Sequence, residues 1–233
     1  MRLDKFISNA TAYSRKDVRG LLKRGAIRIN GVPARAPDQK VDENADQISI
    51  DGKEIRYREF IYLMLHKPQG YLSATEDDRD PVVTDLVPEE WKHFQVFPVG
   101  RLDKDTEGLL LLTNDGHFAY ELTSPKKNRY KRYLARLDKP AEVADIAEFA
   151  KGMVFQDFTA RPAVLEIDPD DPCQVWVEIA EGKFHQVKRM CERVGKTVIY
   201  LKRVAMDQLP LDPDLPLGGV RELTAEEMNL LGF

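Results

Sequence analysis

Leu3, Phe6 and Ile7 fall on one face of a short helix at the start of the chain. Ser14 then opens a second helix, with Asp17 three residues later in the capping-box position. Val18, Leu21 and Leu22 form the apolar stripe of that helix, and Gly25 is a natural stop. Ile27-Arg28-Ile29 alternates as a strand does, and Asn30-Gly31 marks a tight turn before Val32. Residues 47–52, Gln-Ile-Ser-Ile-Asp-Gly, predict another strand and turn. These elements make a small module over residues 1–58, followed by a larger part over 59–233.

In the larger part, apolar runs predict strands at 60–65, 108–113, 133–137, 164–167 and 175–179. Helical spacing recurs at 117–122, 141–151, 186–194 and 224–230. Strands and helices are interspersed without regular βαβ alternation. The expected class is therefore α+β, with a largely antiparallel mixed sheet and flanking helices. No internal repeat or low-complexity tract interrupts the pattern.

Composition adds exclusions. Hydrophobic residues make up 42% of the 233 and charged residues 32%, a globular balance. The longest aliphatic run, Leu109 to Leu112, is far short of the roughly 20 residues of a membrane span. The first residues, Met-Arg-Leu-Asp-Lys-Phe, carry no apolar segment of the secretory type, so a cytoplasmic protein without membrane contact is expected. Cys173 and Cys191 are too far apart for a zinc pair, and neither a metal nor a disulfide framework is expected.

Net charge is −4, which taken alone argues against a polyanion partner. Its distribution reverses that. Residues 1–35 hold nine Lys or Arg against Asp4 and Asp17, a local net of +7. The stretch 124–136 carries six basic residues and no acidic one, and 183–203 carries seven against Glu192 alone. Such patches are the footprint of a nucleic-acid binder. Arg15, Arg19 and Lys23 repeat at i, i+4, i+8, an arrangement that costs roughly 0.2–0.5 kcal/mol per pair unless phosphates offset it. Arg2, Lys5, Arg24 and Arg28 extend the same candidate RNA-binding surface; a solvated face is the plainer alternative.

Residues 98–116, PVGRLDKDTEGLLLLTNDG, set an arginine and three acidic groups in a polar loop ahead of a buried-looking strand. Asp103, Asp105 and Glu107 imitate half of a calcium loop, but its twelfth position is Asn114 and aliphatics intervene, so that option fails. Asp105 and Thr106 can simply cap a turn. Asp103 can be a nucleophile or base at the mouth of the sheet, with Arg101 beside it, or a solvated loop residue.

The order of elements in MRLDKFIS and SRKDVRGLLKRGAIRINGVPA resembles the S4-type (alpha-L) RNA-binding fold. GRLDKDTEGLLLLTNDG is similar to the catalytic motif of pseudouridine synthases of the RsuA family. HKPQGY, KRYLARL, PAVLEI and EGKFHQVKRM resemble that family's other motifs, in family order. The resemblance implies an S4-like domain at 1–58 and a catalytic domain of the pseudouridine synthase fold at 59–233. It implies isomerisation of a uridine in ribosomal RNA, of the uridine-516 type in the small subunit, without a cofactor. A large-subunit substrate, or a non-catalytic role in ribosome assembly, is the alternative.

By resemblance, Asp103 is the catalytic aspartate and Arg101 fills the gap left by a flipped nucleotide. Tyr133 stacks on the target base, and Lys188 pairs with the catalytic carboxylate. Phe184 stands where relatives often carry Tyr, with the ring retained. Lys67 and Tyr71 fit as strand-end residues, and Val187 and Met190 as core. The expected partner is ribosomal RNA or a pre-ribosomal particle, bound by a monomer.

Overall fold

The computed structural model describes all 233 residues and divides them into two compact units. The first comprises Met1–Ile61 with Val87–Val96, and the second Tyr62–Leu86 with Phe97–Phe233. A cut near residue 58 does not anticipate that the segment 87–96 joins the first unit. There Phe94 lies under the Arg58 guanidinium, 6.0 Å from the ring centre.

In the first unit, α1 (Leu3–Ala10) and α2 (Arg15–Lys23) precede β1 (Ile27–Ile29), β2 (Val32–Pro33), β3 (Ile48–Ile50) and β4 (Lys53–Ile55). Ser14 and Asp17 form the reciprocal capping box that starts α2. The four strands make an antiparallel sheet in the order β2-β1-β3-β4. Asn30 and Gly31, like Asp51 and Gly52, have positive φ at both turn positions, which joins the paired strands tightly. Leu3, Phe6, Ile7, Val18, Ile27 and Ile48 are almost wholly buried between helices and sheet.

The second unit opens with β5 (Tyr62–Lys67), β6 (Phe97–Pro98), β7 (Glu107–Thr113), α3 (Gly116–Thr123), β8 (Lys131–Leu137) and α4 (Val143–Lys151). It continues with β9 (Met153–Val154), β10 (Thr159–Ala160), β11 (Val164–Ile167), β12 (Gln174–Ile179) and α5 (Gln186–Arg193). It ends with β13 (Val198–Met206), β14 (Leu209–Pro210), β15 (Val220–Glu222) and α6 (Ala225–Leu231). The main sheet runs β11-β12-β8-β13-β7-β5-β15, and only β13 and β7 pair in parallel. The α+β class and mixed, mostly antiparallel sheet agree with the sequence-based expectation.

Leu109, Leu110, Leu111 and Leu112 of β7 are all fully buried, so both faces of this central strand are covered. Burial of such a side chain contributes roughly 1.5–3 kcal/mol. The strand β13 is absent from the sequence-based expectation. Lys202 and Arg203 interrupt its apolar character, and register shifts beside β8 break the period of two.

Gly108 permits the parallel pairing. Its φ is 111°, and a Cβ there would collide with the Arg203 carbonyl and lie 2.6 Å from the Arg203 nitrogen. Gly108→Ala is expected to lower unfolding free energy by about 3 kcal/mol, through a left-handed backbone and a clash that β13 cannot relieve. A urea titration against wild type checks this; an unchanged midpoint contradicts the close-approach argument.

Candidate active site

Asp103 sits in the loop before β7, and that loop is held from beneath by the segment following β5. Lys67, the last residue of β5, is fully buried. Its Nζ donates to the carbonyls of Pro68 (3.0 Å), Asp103 (3.1 Å), Lys104 (3.4 Å) and Thr106 (2.9 Å). Gly70 N donates to Lys104 O at 2.8 Å, while the Ser73 hydroxyl exchanges hydrogen bonds with both backbone groups of Leu102. The HKPQGY segment is therefore the mould against which residues 102–106 take shape. Burial pushes the Lys67 ammonium down to about 8, although Asp105, Asp103 and Glu107 attract its proton.

On the other side stands α5. Val187, Met190 and Cys191 are buried on its inner face, as their helical spacing requires. Lys188 is directed at the loop instead, with its Nζ 3.3 Å from Asp103 Oδ2 and 2.6 Å from Asp105 Oδ1. Burial acts to raise the Asp105 carboxyl, but the hydrogen bond and charge of Lys188 outweigh it and hold Asp105 below the usual range. Asp105 is thus a second partner for the lysine.

The start of α5 is fixed by Gln186, which accepts from Lys183 N and donates to buried Glu181, both at 3.0 Å. His185, before the helix, has φ of 51° and stacks on Phe184 with ring centres 3.8 Å apart. Its Nε2 is 3.7 Å from Asp103 Oδ2. A left-handed residue of this kind carries strain that the surroundings must hold.

Tyr133 comes from β8, only 7% exposed, and lines the same cavity as Asp103, Arg101, Lys183, His185 and Leu201. Arg101 is exposed at its edge. Four residues singled out in the sequence, Arg101, Asp103, Tyr133 and Lys188, are brought together across 87 positions of chain. A carboxylate with a paired ammonium, beside an aromatic wall, can bind a flat polar ring and act on it as base or nucleophile.

The basic residues of the first unit separate into two groups. Arg2 is bound by Asp4 at 3.0 and 2.8 Å, Arg24 by Asp51 at 3.0 and 2.6 Å, and Arg28 by Gly31 O at 2.8 Å. Lys5, Arg15, Arg19 and Lys23 are exposed and have no ion pair. Of the basic face, this second group is available to an external anion.

Residues 61–193 match the family model described as RNA pseudouridylate synthase, and residues 1–46 match that of the S4 domain. The chain belongs to the RNA pseudouridylate synthase family. It is 47% identical over 99% of its length to an uncharacterized RNA pseudouridine synthase, YtzG, of Bacillus subtilis, covering 98% of that protein. It is 38% identical over 98% of its length to ribosomal small subunit pseudouridine synthase A of Escherichia coli (strain K12), again covering 98%. A crystal structure of a pseudouridylate synthase superposes with a TM-score of 0.70 at 33% identity, covering 99% of each chain. As a pseudouridine synthase the protein is an RNA-modifying isomerase with an S4-type RNA-binding domain. No helix is long and apolar enough to cross a membrane.

Lys67 and Asp105 are the residues that sequence reasoning undervalued in this synthase. A lysine at the end of an otherwise apolar strand is the available signal for Lys67, but its carbonyl partners lie up to 39 positions away. Lys67→Met is expected to cost about 3 kcal/mol or more at pH 7, since buried carbonyls lose their donor. The folded-state lysine titrates near 8 and an ordinary lysine at 10.5, so between them the unfolded chain binds more protons. Stability in that window rises with pH in wild type, and less so in Lys67→Met. Urea midpoints at pH 8 and pH 10 check this, and equal rises contradict it.

Proposed function

We propose that this synthase isomerises one specific uridine of small-subunit ribosomal RNA, of the uridine-516 type, with Asp103 as its catalytic carboxylate. The observation that carries the proposal is that Asp103 and Tyr133 line one cavity, while Lys188 holds the Asp103 carboxylate at 3.3 Å. The 38% identity to small-subunit enzymes along nearly the whole chain supports the choice of substrate.

The reaction balances within the nucleotide. The N1–C1′ bond breaks, the uracil turns, and a C5–C1′ bond forms while a proton leaves C5 and N1 takes one up. It therefore requires no oxidant and no group donor. A uridine in folded RNA must first leave its stack, at a cost of a few kcal/mol. Tyr133 offers a ring face that offsets part of that cost, and Arg101 at the edge of the cavity can occupy the space the base leaves. Lys188 opposes the penalty of enclosing the Asp103 carboxylate when RNA excludes water. The S4-type module contributes phosphate contacts through Lys5, Arg15, Arg19 and Lys23. The working unit is a single chain acting in the cytoplasm on ribosomal RNA or a pre-ribosomal particle.

Asp103→Asn removes the charge and keeps the shape. Isomerisation is expected to fall by at least about 10⁴-fold, while RNA affinity changes less than about threefold. Tritium release from 5-tritiated uridine in small-subunit RNA measures the first and filter binding the second. Retained turnover overturns the role given to Asp103.

Replacing Arg15, Arg19 and Lys23 together with glutamine leaves the buried face of α2 intact. The slope of log affinity against log salt should decrease by about two to three if all three contact phosphates. Binding titrations at several salt concentrations decide it, and an unchanged slope makes this row a solvated face.

A further inference from the structure

Beside the cavity of Asp103 lies a second one of about 290 Å³, with Arg101, Tyr133, Gly182 and Lys183 common to both linings. Its inner wall carries two cations that no carboxylate within 4 Å neutralises, Lys131 of β8 and Arg203 of β13. Arg203 is 2% exposed; its Nε donates to Leu109 O at 2.7 Å, and its Nη2 is buried without a hydrogen-bond partner. Lys131 Nζ donates to Arg129 O at 2.7 Å and retains further donors. One carboxylate, Glu181, shares the lining; it accepts from Arg161 N and Gln186 Nε2, while Asp207 outside the lining binds Arg129 and Tyr130 N.

Burial, with the neighbouring Arg203 charge, pushes Lys131 down to about 8. Two enclosed cations, one with an orphaned donor, are costly unless an anion joins them. The shared lining makes the occupant part of whatever molecule puts a base at Asp103. Next to a uridine, the anionic part of an RNA chain is its phosphodiester.

We propose that this cavity is a phosphate subsite, in which Lys131 and Arg203 receive the phosphodiester adjacent to the uridine that reaches Asp103. The proposal rests on the RNA-modifying reading above and goes further, because it assigns a register of the substrate backbone against β8 and β13. Lys131 and Arg203 then act on substrate affinity and position rather than on the bond changes.

The test titrates full-length protein with uridine, uridine 5′-monophosphate and uridine 3′-monophosphate, following amide chemical shifts. Wild type is expected to bind one monophosphate about tenfold more tightly than uridine, as a charge-assisted hydrogen-bonded pair provides. The preferred isomer identifies which flanking phosphate occupies the subsite. Lys131→Gln should reduce that preference to below about threefold, and Lys131→Arg should keep it. Equal affinities for all three compounds in wild type overturn the proposal without recourse to a variant. A preference that survives in Lys131→Gln also overturns it, because the phosphate is then held at the rim by Arg101 or Lys183. Tritium release from small-subunit RNA by wild type separates the two readings. Turnover without phosphate preference overturns the subsite alone, and no turnover on any ribosomal RNA overturns the assigned reaction.

Discussion

One buried ammonium underlies the arrangement of the candidate site. Lys67 sits beneath the loop that carries Asp103, and four carbonyl oxygens surround its Nζ. A loop of turns has few internal means of fixing its shape, since its backbone groups do not pair in a ladder. Here the oxygens that would otherwise face water converge on one cation. The loop conformation is thereby tied to the end of β5, a strand paired on both sides in the sheet. Buried apolar surface holds β5 in place, β5 positions Lys67, and Lys67 fixes the backbone of Asp103.

Much of the fold was legible because local chemistry and tertiary structure agree. The Ser14–Asp17 box, the two-residue turns and the aliphatic run of β7 each have one comfortable conformation, and the protein uses it. The strand β13 was hidden for a physical reason. Its inward position 203 holds an arginine whose Nε is satisfied by a backbone carbonyl of β7, and the register shift after it breaks the alternation a strand is recognised by. That residues 87–96 pack with the first unit has no signal in a linear boundary, because membership of a unit depends on packing.

The site was legible in a different way. Motif resemblance singles out Asp103, Tyr133, Lys188 and Arg101 as candidates, and no spacing rule joins them. They lie on a loop, a strand, a helix and a loop edge, and the sheet order β8-β13-β7 brings them together. For Asp105 the sequence offers a turn cap as the plain alternative, because its neighbours allow that role. Its hydrogen bond to Lys188 spans 83 positions, and only the docking of α5 creates it.

Sharing Lys188 between Asp103 and Asp105 leaves two carboxylates facing one ammonium, while Arg101, Lys183, Lys131 and Arg203 stand around and beside the same opening. The Asp103 carboxylate is therefore set among cations, with Arg101 and Lys183 in its own cavity and Lys131 and Arg203 on the inner wall of the adjoining one. For an RNA strand these opposed charges act as a sorting field. Its phosphates are drawn to the cations and repelled by the carboxylate, and its uncharged bases feel neither constraint strongly. The charges therefore admit an uncharged group to Asp103 more readily than a phosphate. The charge pattern thus discriminates between poses of the same molecule before any base edge is read.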